Sequence, residues 1–192
     1  MAKKVKLADV LEHSAPDAAK QLLGCFLESE IDGERVRVKI VETEAYDQTD
    51  AASHSFNGRT PRTDVMFGPA GHLYVYFTYG MHYCCNVVVG EVGTGSAVLI
   101  RAVEPVEGEV VLEMRRKGRI GVELTNGPAK LCQALAIDRT MNGHDLEKAP
   151  LRLVLAEGPK EIITTKRVGI SKEKDKPWRF YLADNAFVSF HR

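Results

Sequence analysis

Glu42 and Glu44 are the two residues of this chain best placed to do chemistry. They follow the run Arg35-Val36-Arg37-Val38-Lys39-Ile40, which alternates polar and apolar with period two, so Val36, Val38 and Ile40 share the core face of a strand. Continued without a bulge, that parity turns Glu42, Glu44 and Tyr46 inward as well. An unpaired buried carboxylate costs several kcal/mol or shifts its pKa, and proteins mostly tolerate that where the carboxylate reacts. The opposing reading ends the strand near Val41 and leaves both glutamates in water. Spacing alone supports the two equally.

A second concentration of chemistry lies further on. Tyr74, Tyr76, Tyr79 and Tyr83 are four of the six tyrosines, and Met81 and His82 stand among them. Alternate aromatics on a half-buried hairpin most often pack, which is the reading for Tyr74 and Tyr83. Tyr79 differs because it stands beside Gly80 at the expected tip. An exposed aromatic and a methionine there suit insertion between stacked bases. His54, in a long loop, has the spacing of an ordinary surface histidine. With His72 and His82 it forms no H-x-x-x-H or H-E-x-x-H pattern, so neither a metal site nor a cofactor is expected. Arg101 is a charge inside the apolar run Ala97 to Val103, which implies a strand-end position or a buried partner such as Glu44. Arg59, Arg62 and Lys130, with Lys166 and Arg167, are candidate phosphate contacts, although basic loop residues are usually only solvated. Pro128 to Lys130 opens a helix whose free amides suit a phosphate. No Walker A motif, G-x-S-x-G elbow or zinc-deaminase signature occurs.

The elements that must position these residues can be read in outline. Ser14-Ala15-Pro16-Asp17 has the form of a helix start leading into Ala18 to Leu23. Cys25 to Ile31 and Glu34 to Tyr46 read as strands joined through Asp32-Gly33. Residues 47–71 are loop-like, and a loop that long inside a compact domain is usually functional. Leu73 to Thr78 and Tyr83 to Val89 read as paired strands, Ala97 to Val103 as another. Glu107 to Arg116 and Pro128 to Ile137 are expected helices, and Gly127-Pro128 and Gly158-Pro159 are turn signals. Leu151 to Ala156, Ile162 to Val168 and Trp178 to Leu182 complete the strands. Hairpins dominate and helices intervene irregularly, so the predicted class is α+β: a curved, largely antiparallel sheet with flanking helices and a protruding β-hairpin.

The 192 residues, 44% hydrophobic, suffice for one buried core, so residues 1–192 are expected to form a single domain. Basic and acidic residues balance at 26 each, which argues against tight non-specific binding to nucleic acid. Cys25, Cys84, Cys85 and Cys132 show no C-x-x-C spacing and fit neither a zinc cage nor a disulfide scaffold. The opening Met-Ala-Lys-Lys-Val-Lys-Leu is not a signal peptide, and no segment approaches membrane-spanning length. A reduced, cytoplasmic setting is the expectation.

Taken together, several stretches resemble the alkyladenine (3-methyladenine) DNA glycosylase family. They are Val41-Glu42-Thr43-Glu44-Ala45-Tyr46 with His54 eight residues later, Leu73-Tyr74-Val75-Tyr76 through Tyr79-Gly80-Met81 to Asn86, and Leu99-Ile100-Arg101-Ala102-Val103-Glu104-Pro105. Gly127-Pro128-Ala129-Lys130-Leu131-Cys132-Gln133-Ala134-Leu135 and Arg167-Val168-Gly169 also match. The similarity runs in order over roughly residues 20 to 190. The resemblance implies that Glu44 is the general base that activates water and that Arg101 positions the carboxylate or the water. It implies that Tyr46, His54 and Tyr76 wall the pocket for a flipped base and that Asn86 screens the purine edge against guanine. Tyr79 would fill the gap left in the duplex, with Met81 and His82 beside it. The implied partner is double-stranded DNA carrying a damaged purine, met by a monomer with no membrane association. No lysine matches a catalytic position, so the implied activity stops at an abasic site.

Two departures concern DNA affinity: His82 stands where relatives often carry an aromatic, and the zero net charge is low for a DNA-binding enzyme. Two rival readings remain at this point. A non-catalytic nucleic-acid-binding module of similar fold would use the hairpin and basic loops without needing Glu44. A glycoside hydrolase acting on free nucleosides would use Glu42 and Glu44 as its acid pair and ignore Tyr79.

Overall fold

Ser14 caps the first helix of any length. Its hydroxyl accepts from the Asp17 N–H at 3.4 Å, and Pro16 occupies the first turn, where its missing N–H costs nothing. The computed structural model describes residues 7–158 and 161–189; the opening residues 1–6 and Pro159 of the Gly158-Pro159 turn lie outside the described residues. After a short α1 (Leu7–Leu11), the capped helix α2 (Ala15–Leu22) leads to the hairpin of β1 (Phe26–Ile31) and β2 (Glu34–Tyr46). Asp32 and Gly33 both take positive φ in the turn between them. The long loop ends at a second hairpin, β3 (Leu73–Thr78) and β4 (His82–Val89), followed by β5 (Ser96–Glu107). Two short helices, α3 (Glu109–Arg115) and α4 (Pro128–Ala134), precede β6 (Leu151–Val154), β7 (Ile162–Thr165) and β8 (Arg179–Leu182).

Every strand pairing is antiparallel, in the order β3-β4-β5-β2-β1-β6, with β8 joined to β2 and β7 to β8. The α+β class with a curved antiparallel sheet and flanking helices is therefore as predicted. Helix α2 packs against β2 and β5, and α4 against β4 and β5. That face holds the main core, including Val36, Val38, Ile40, Val75, Val87, Val98 and Ile100. Among the described residues, no helix is long and apolar enough to cross a membrane.

The inward parity expected for Glu42 and Glu44 does not hold, because the strand carries a bulge. The β2–β5 register pairs Ile40 with Val103, Glu42 with Ala102 and Thr43 with Ile100, so it skips Val41 on β2 and Arg101 on β5. One extra residue reverses which face the following side chains take. Thr43 and Ala45 now join the helix side, where Thr43 Oγ1 donates to Ala19 O at 2.9 Å. Glu42, Glu44 and Tyr46 turn to the opposite face. Of the two readings, the buried one holds, but on this other face, where both glutamates are fully buried. At the same point β2 changes partner on one edge, from β1, paired as far as Lys39, to β8, paired with Glu42 to Glu44.

Element ends differ where the strand outran its apolar run. β5 continues to Glu107, opposite Arg37, so α3 starts two residues later than Glu107, after Gly108 rather than with it. Gly108 has φ +78°, and a Cβ there would lie 2.5 Å from the Arg35 carbonyl oxygen. Gly108→Ala is expected to lower stability by about 3 kcal/mol, or the melting temperature by roughly 10 °C, measured by thermal unfolding.

Candidate active site

Alternation along five strands builds a floor on the face away from the helices. Tyr74 on β3 pairs with Asn86 on β4, Asn86 with Leu99 on β5, Leu99 with Glu44 on β2, and Glu44 with Arg179 on β8. This single row crosses the sheet, and Tyr76 opposite Cys84 forms the start of the next. The long loop after β2 folds over it. Ser55 Oγ donates to Gly95 O at 2.6 Å, and the 3₁₀ turn Asp64–Phe67 buries Met66 and Phe67 against Tyr74, Val88 and Ala97. Between loop and sheet lies a cavity of about 660 Å³ whose walls include Tyr46, His54, Tyr76, Asn86, Arg101 and Val168. Its volume suits a nucleotide-sized guest.

Glu44 lies directly behind that wall. Tyr46 Oη donates to Glu44 Oε2 at 2.9 Å, Arg101 Nη1 donates to the same oxygen at 3.3 Å, and the Val168 N–H donates to Oε1 at 2.7 Å. All three donors line the cavity, while the carboxylate is 0% exposed. Burial, then the charge and hydrogen bond of Glu44, push the Tyr46 phenol far above its ordinary pKa, so it remains a donor. Burial alone would lower the Arg101 pKa, but Glu44 and Glu42 outweigh it and hold the guanidinium charged.

Glu42 serves a different neighbourhood. It accepts from Arg101 Nε at 3.1 Å, Arg179 Nε at 2.6 Å, the Ser189 N–H at 2.7 Å and Ser189 Oγ at 2.9 Å. Both of its oxygens are occupied, and it does not line the cavity. Arg101 thus reaches both acids, because the skipped register position aims it between them.

A third buried pair braces the same wall from behind Tyr46 and Val168. Arg167 donates to Asp50 through both terminal nitrogens and to Ala45 O at 2.9 Å, with its guanidinium stacked 4.6 Å from the Tyr46 ring centroid. Arg167, read as a candidate phosphate contact, is therefore consumed inside the protein. Its pairing places the next residue, Val168, on Glu44. Asp50 and the Val168 amide were missed by sequence reasoning. The only available signal was the matched Arg167-Val168-Gly169 stretch, since the partners stand more than a hundred residues apart.

His54 is held by its Nδ1 against Tyr74 Oη at 3.0 Å and edge-on to Tyr76, with centroids 4.5 Å apart. Burial of the ring, aided by the Arg62 guanidinium, lowers its pKa to about 4. Asn86 Nδ2 donates to Tyr74 O at 3.1 Å, which fixes the amide at the cavity wall. Burial and the Cys84 thiol raise the Tyr76 pKa, keeping that phenol neutral.

The remaining candidates occupy other surroundings. Tyr79 is 85% exposed at the tip of the β3–β4 hairpin, where it and Gly80 both have positive φ and the Met81 N–H donates to Thr78 O at 3.3 Å. Tyr79 reaches the first cavity, whereas Met81 and His82 line a separate depression. Arg62 stands at the cavity rim, but Arg59 pairs with Asp64 at 2.5 Å and Lys130 with Glu123 at 2.8 Å and Asn126 at 2.7 Å. Among the described residues, no three His, Cys, Asp or Glu side chains are grouped to hold a metal ion.

Comparison with known proteins places this sequence in a wider set. The sequence profile of the family described as Methylpurine-DNA glycosylase matches residues 9–186. A relative from Carboxydothermus hydrogenoformans, named "Putative 3-methyladenine DNA glycosylase", is 52% identical over 174 residues, spanning 89% of this chain and 91% of its own. Relatives of the same name from Francisella tularensis and Methanoculleus marisnigri are 47% and 46% identical, each over more than nine-tenths of both chains.

The His54 environment has a measurable consequence. By NMR titration its ring is expected to stay neutral from pH 8 to pH 5, and Arg62→Ala should raise its pKa only part of the way to 6.5, because burial is the larger cause. The native ring binds its proton more weakly than the unfolded one. Stability contributed by neutral His54 is therefore complete above pH 6.5 and is lost as pH falls towards 4.

Proposed function

The chain belongs to the methylpurine-DNA glycosylase family, and on that premise we propose that it flips a damaged purine out of duplex DNA into the 660 Å³ cavity and hydrolyses its N-glycosidic bond. The observation that carries the mechanism is Glu44: a fully buried carboxylate whose three donors form the cavity wall. Its Oε1 accepts one hydrogen bond where Oε2 accepts two, so Oε1 is the oxygen with a lone pair for water. Water held there between Tyr46, Arg101 and Val168 loses its proton to Glu44 as it attacks the sugar carbon. Positive charge building on the sugar is stabilised by the carboxylate beneath it. Arg101 is the positioning residue that keeps this oxygen pair aimed.

Recognition belongs to the walls. Tyr46, His54 and Tyr76 present aromatic surface, whose negative faces favour an electron-poor alkylated purine by about 1 kcal/mol. Asn86, fixed by its bond to Tyr74 O, screens the purine edge against the exocyclic amine of guanine. Tyr79 fills the space vacated in the duplex, and flipping costs least at damaged or mispaired bases. A cationic lesion such as 3-methyladenine leaves without further help. Hypoxanthine needs a proton, and a His54 held near pKa 4 has none to give at pH 7, so its excision is expected to be slower.

One lysine, Lys172, lines the exposed rim of the cavity. We place it outside the chemistry and read the reaction as ending at an abasic site, without a covalent intermediate. The protein is read as acting alone, as a one-domain monomer in the cytoplasm.

The test uses end-labelled duplexes holding hypoxanthine, ethenoadenine or no lesion, and methylated DNA releasing 3-methyladenine. Strand breaks should require alkali, and borohydride should trap no protein–DNA adduct; trapping lost in Lys172→Ala would reverse the monofunctional reading. Glu44→Gln is expected to lower single-turnover excision on the order of a thousandfold while keeping lesion binding. Unimpaired function in that variant would favour a non-catalytic binding module. Glu42→Gln should instead cost about 3 kcal/mol of unfolding free energy in urea, with a much smaller loss of excision at low temperature. Equal losses of excision would show that the two acids are not separable in this way.

A further inference from the structure

The β3–β4 hairpin separates two cavities, and only one belongs to the chemistry above. Tyr76, Cys84 and Asn86 face the first. Tyr83, by strand parity, faces the other side, over a depression of about 640 Å³ against α4 that Met81 and His82 at the end of the hairpin also line. Met81, Tyr83, Cys132 and Ile137 give it an apolar floor, and Arg116, Lys117 and Arg119 a cationic rim. That rim is built. Helix α3 ends with Lys117 and Gly118 both in left-handed conformation, and the Gly118 N–H donates to Glu113 O at 2.9 Å. Arg116 is tied to Gln133 Oε1 and to the carbonyls of Leu124 at 3.0 Å and Glu123 at 3.1 Å. Lys117 and Arg119 are exposed and carry no ion pair among the described residues. Glu123, whose carboxylate feels the Arg119 charge, is already bonded to Lys130. A chain of zero net charge thus concentrates three cations within four residues in the depression that Met81 and His82, two and three residues past the exposed Tyr79, also line.

We propose that this groove binds the sugar–phosphate backbone of the strand opposite the damaged base. The proposal rests on the reading of Tyr79 as a wedge. A wedge entering the minor groove has one strand on each flank. The flipped nucleotide draws its own strand to the first cavity, so the strand on the other flank meets Lys117 and Arg119. Phosphate neutralisation by this pair supplies sequence-independent affinity that the neutral total charge does not.

The experiment measures fluorescence anisotropy of Lys117→Ala/Arg119→Ala against a lesion-bearing duplex and the same lesion-bearing strand alone, across a salt series. Melting temperature and circular dichroism confirm folding. Expected are a roughly tenfold weaker duplex affinity near physiological salt and a log–log salt slope reduced by about 2. Affinity for the single strand and the single-turnover excision rate at saturating protein should be unchanged. Lys117→Arg/Arg119→Lys, which keeps the charges, should bind duplex like the wild type. Equal losses on duplex and single strand would assign the contact to the damaged strand and overturn the proposal, as would no loss on either. Wild-type protein that binds duplex without excising a base would sink the glycosylase reading alone, since the strand comparison is read by binding.

Discussion

Two carboxylates removed from water must find positive charge within hydrogen-bonding distance, and the long-range architecture of this fold answers that requirement. Desolvating an ion costs several kcal/mol even after relaxation, and removing one partner from such a pair leaves the other uncompensated. Glu42 and Glu44 are both fully buried and share Arg101, and Glu42 also binds Arg179. Asp50 and Arg167 repeat the arrangement at the wall. Three buried acids are thereby balanced by three arginines. Two of the segments that bring those arginines, β5 and the chain after β7, also line the cavity, and β8 pairs with β2 beside Glu44. Stability and site geometry consequently draw on the same contacts.

The difference between Glu42 and Glu44 lies in which groups donate to them. Glu42 spends both oxygens on backbone and side chains that hold the chain near Ser189. Each acid has one oxygen with a single protein donor, but on Glu42 that donor is the Ser189 N–H, whereas the donors of Glu44, from Tyr46, Arg101 and Val168, all line the cavity. Two acids of identical chemistry, two residues apart, are made different by their neighbours.

Much of this was legible in the sequence, and what was not has physical causes. The hairpins, the turn at Asp32-Gly33, the Ser14 cap and the exposed Tyr79 follow local rules that short stretches express. The burial of the glutamates also emerged, though through a parity that the bulge at Val41 and Arg101 reverses. A bulge is invisible to alternation because both registers leave the same apolar pattern on either side of it. The strand reading of Arg101 left its partner open between a strand end and Glu44, and the structure gives it both glutamates. Charge residues misled most at Arg167, because whether a loop arginine is solvated or buried depends on Asp50, far away in the chain. His54 was likewise unremarkable by spacing, and only the folded loop sets it against Tyr74 and Tyr76.

The bonds to Glu42 span nearly the length of the described chain, from Arg101 to Arg179 and Ser189. Synthesis delivers these residues in order. When β1 to β5 first emerge, the sheet has all of its row but Arg179, and its hairpin, while Glu42 and Glu44 have Arg101 as their one arginine and Glu44 has Tyr46 as a further donor. The segment that carries Val168, Arg179 and Ser189 arrives last and completes the floor. A nascent chain therefore holds the hairpin and most of the floor before the two buried acids acquire all of their donors.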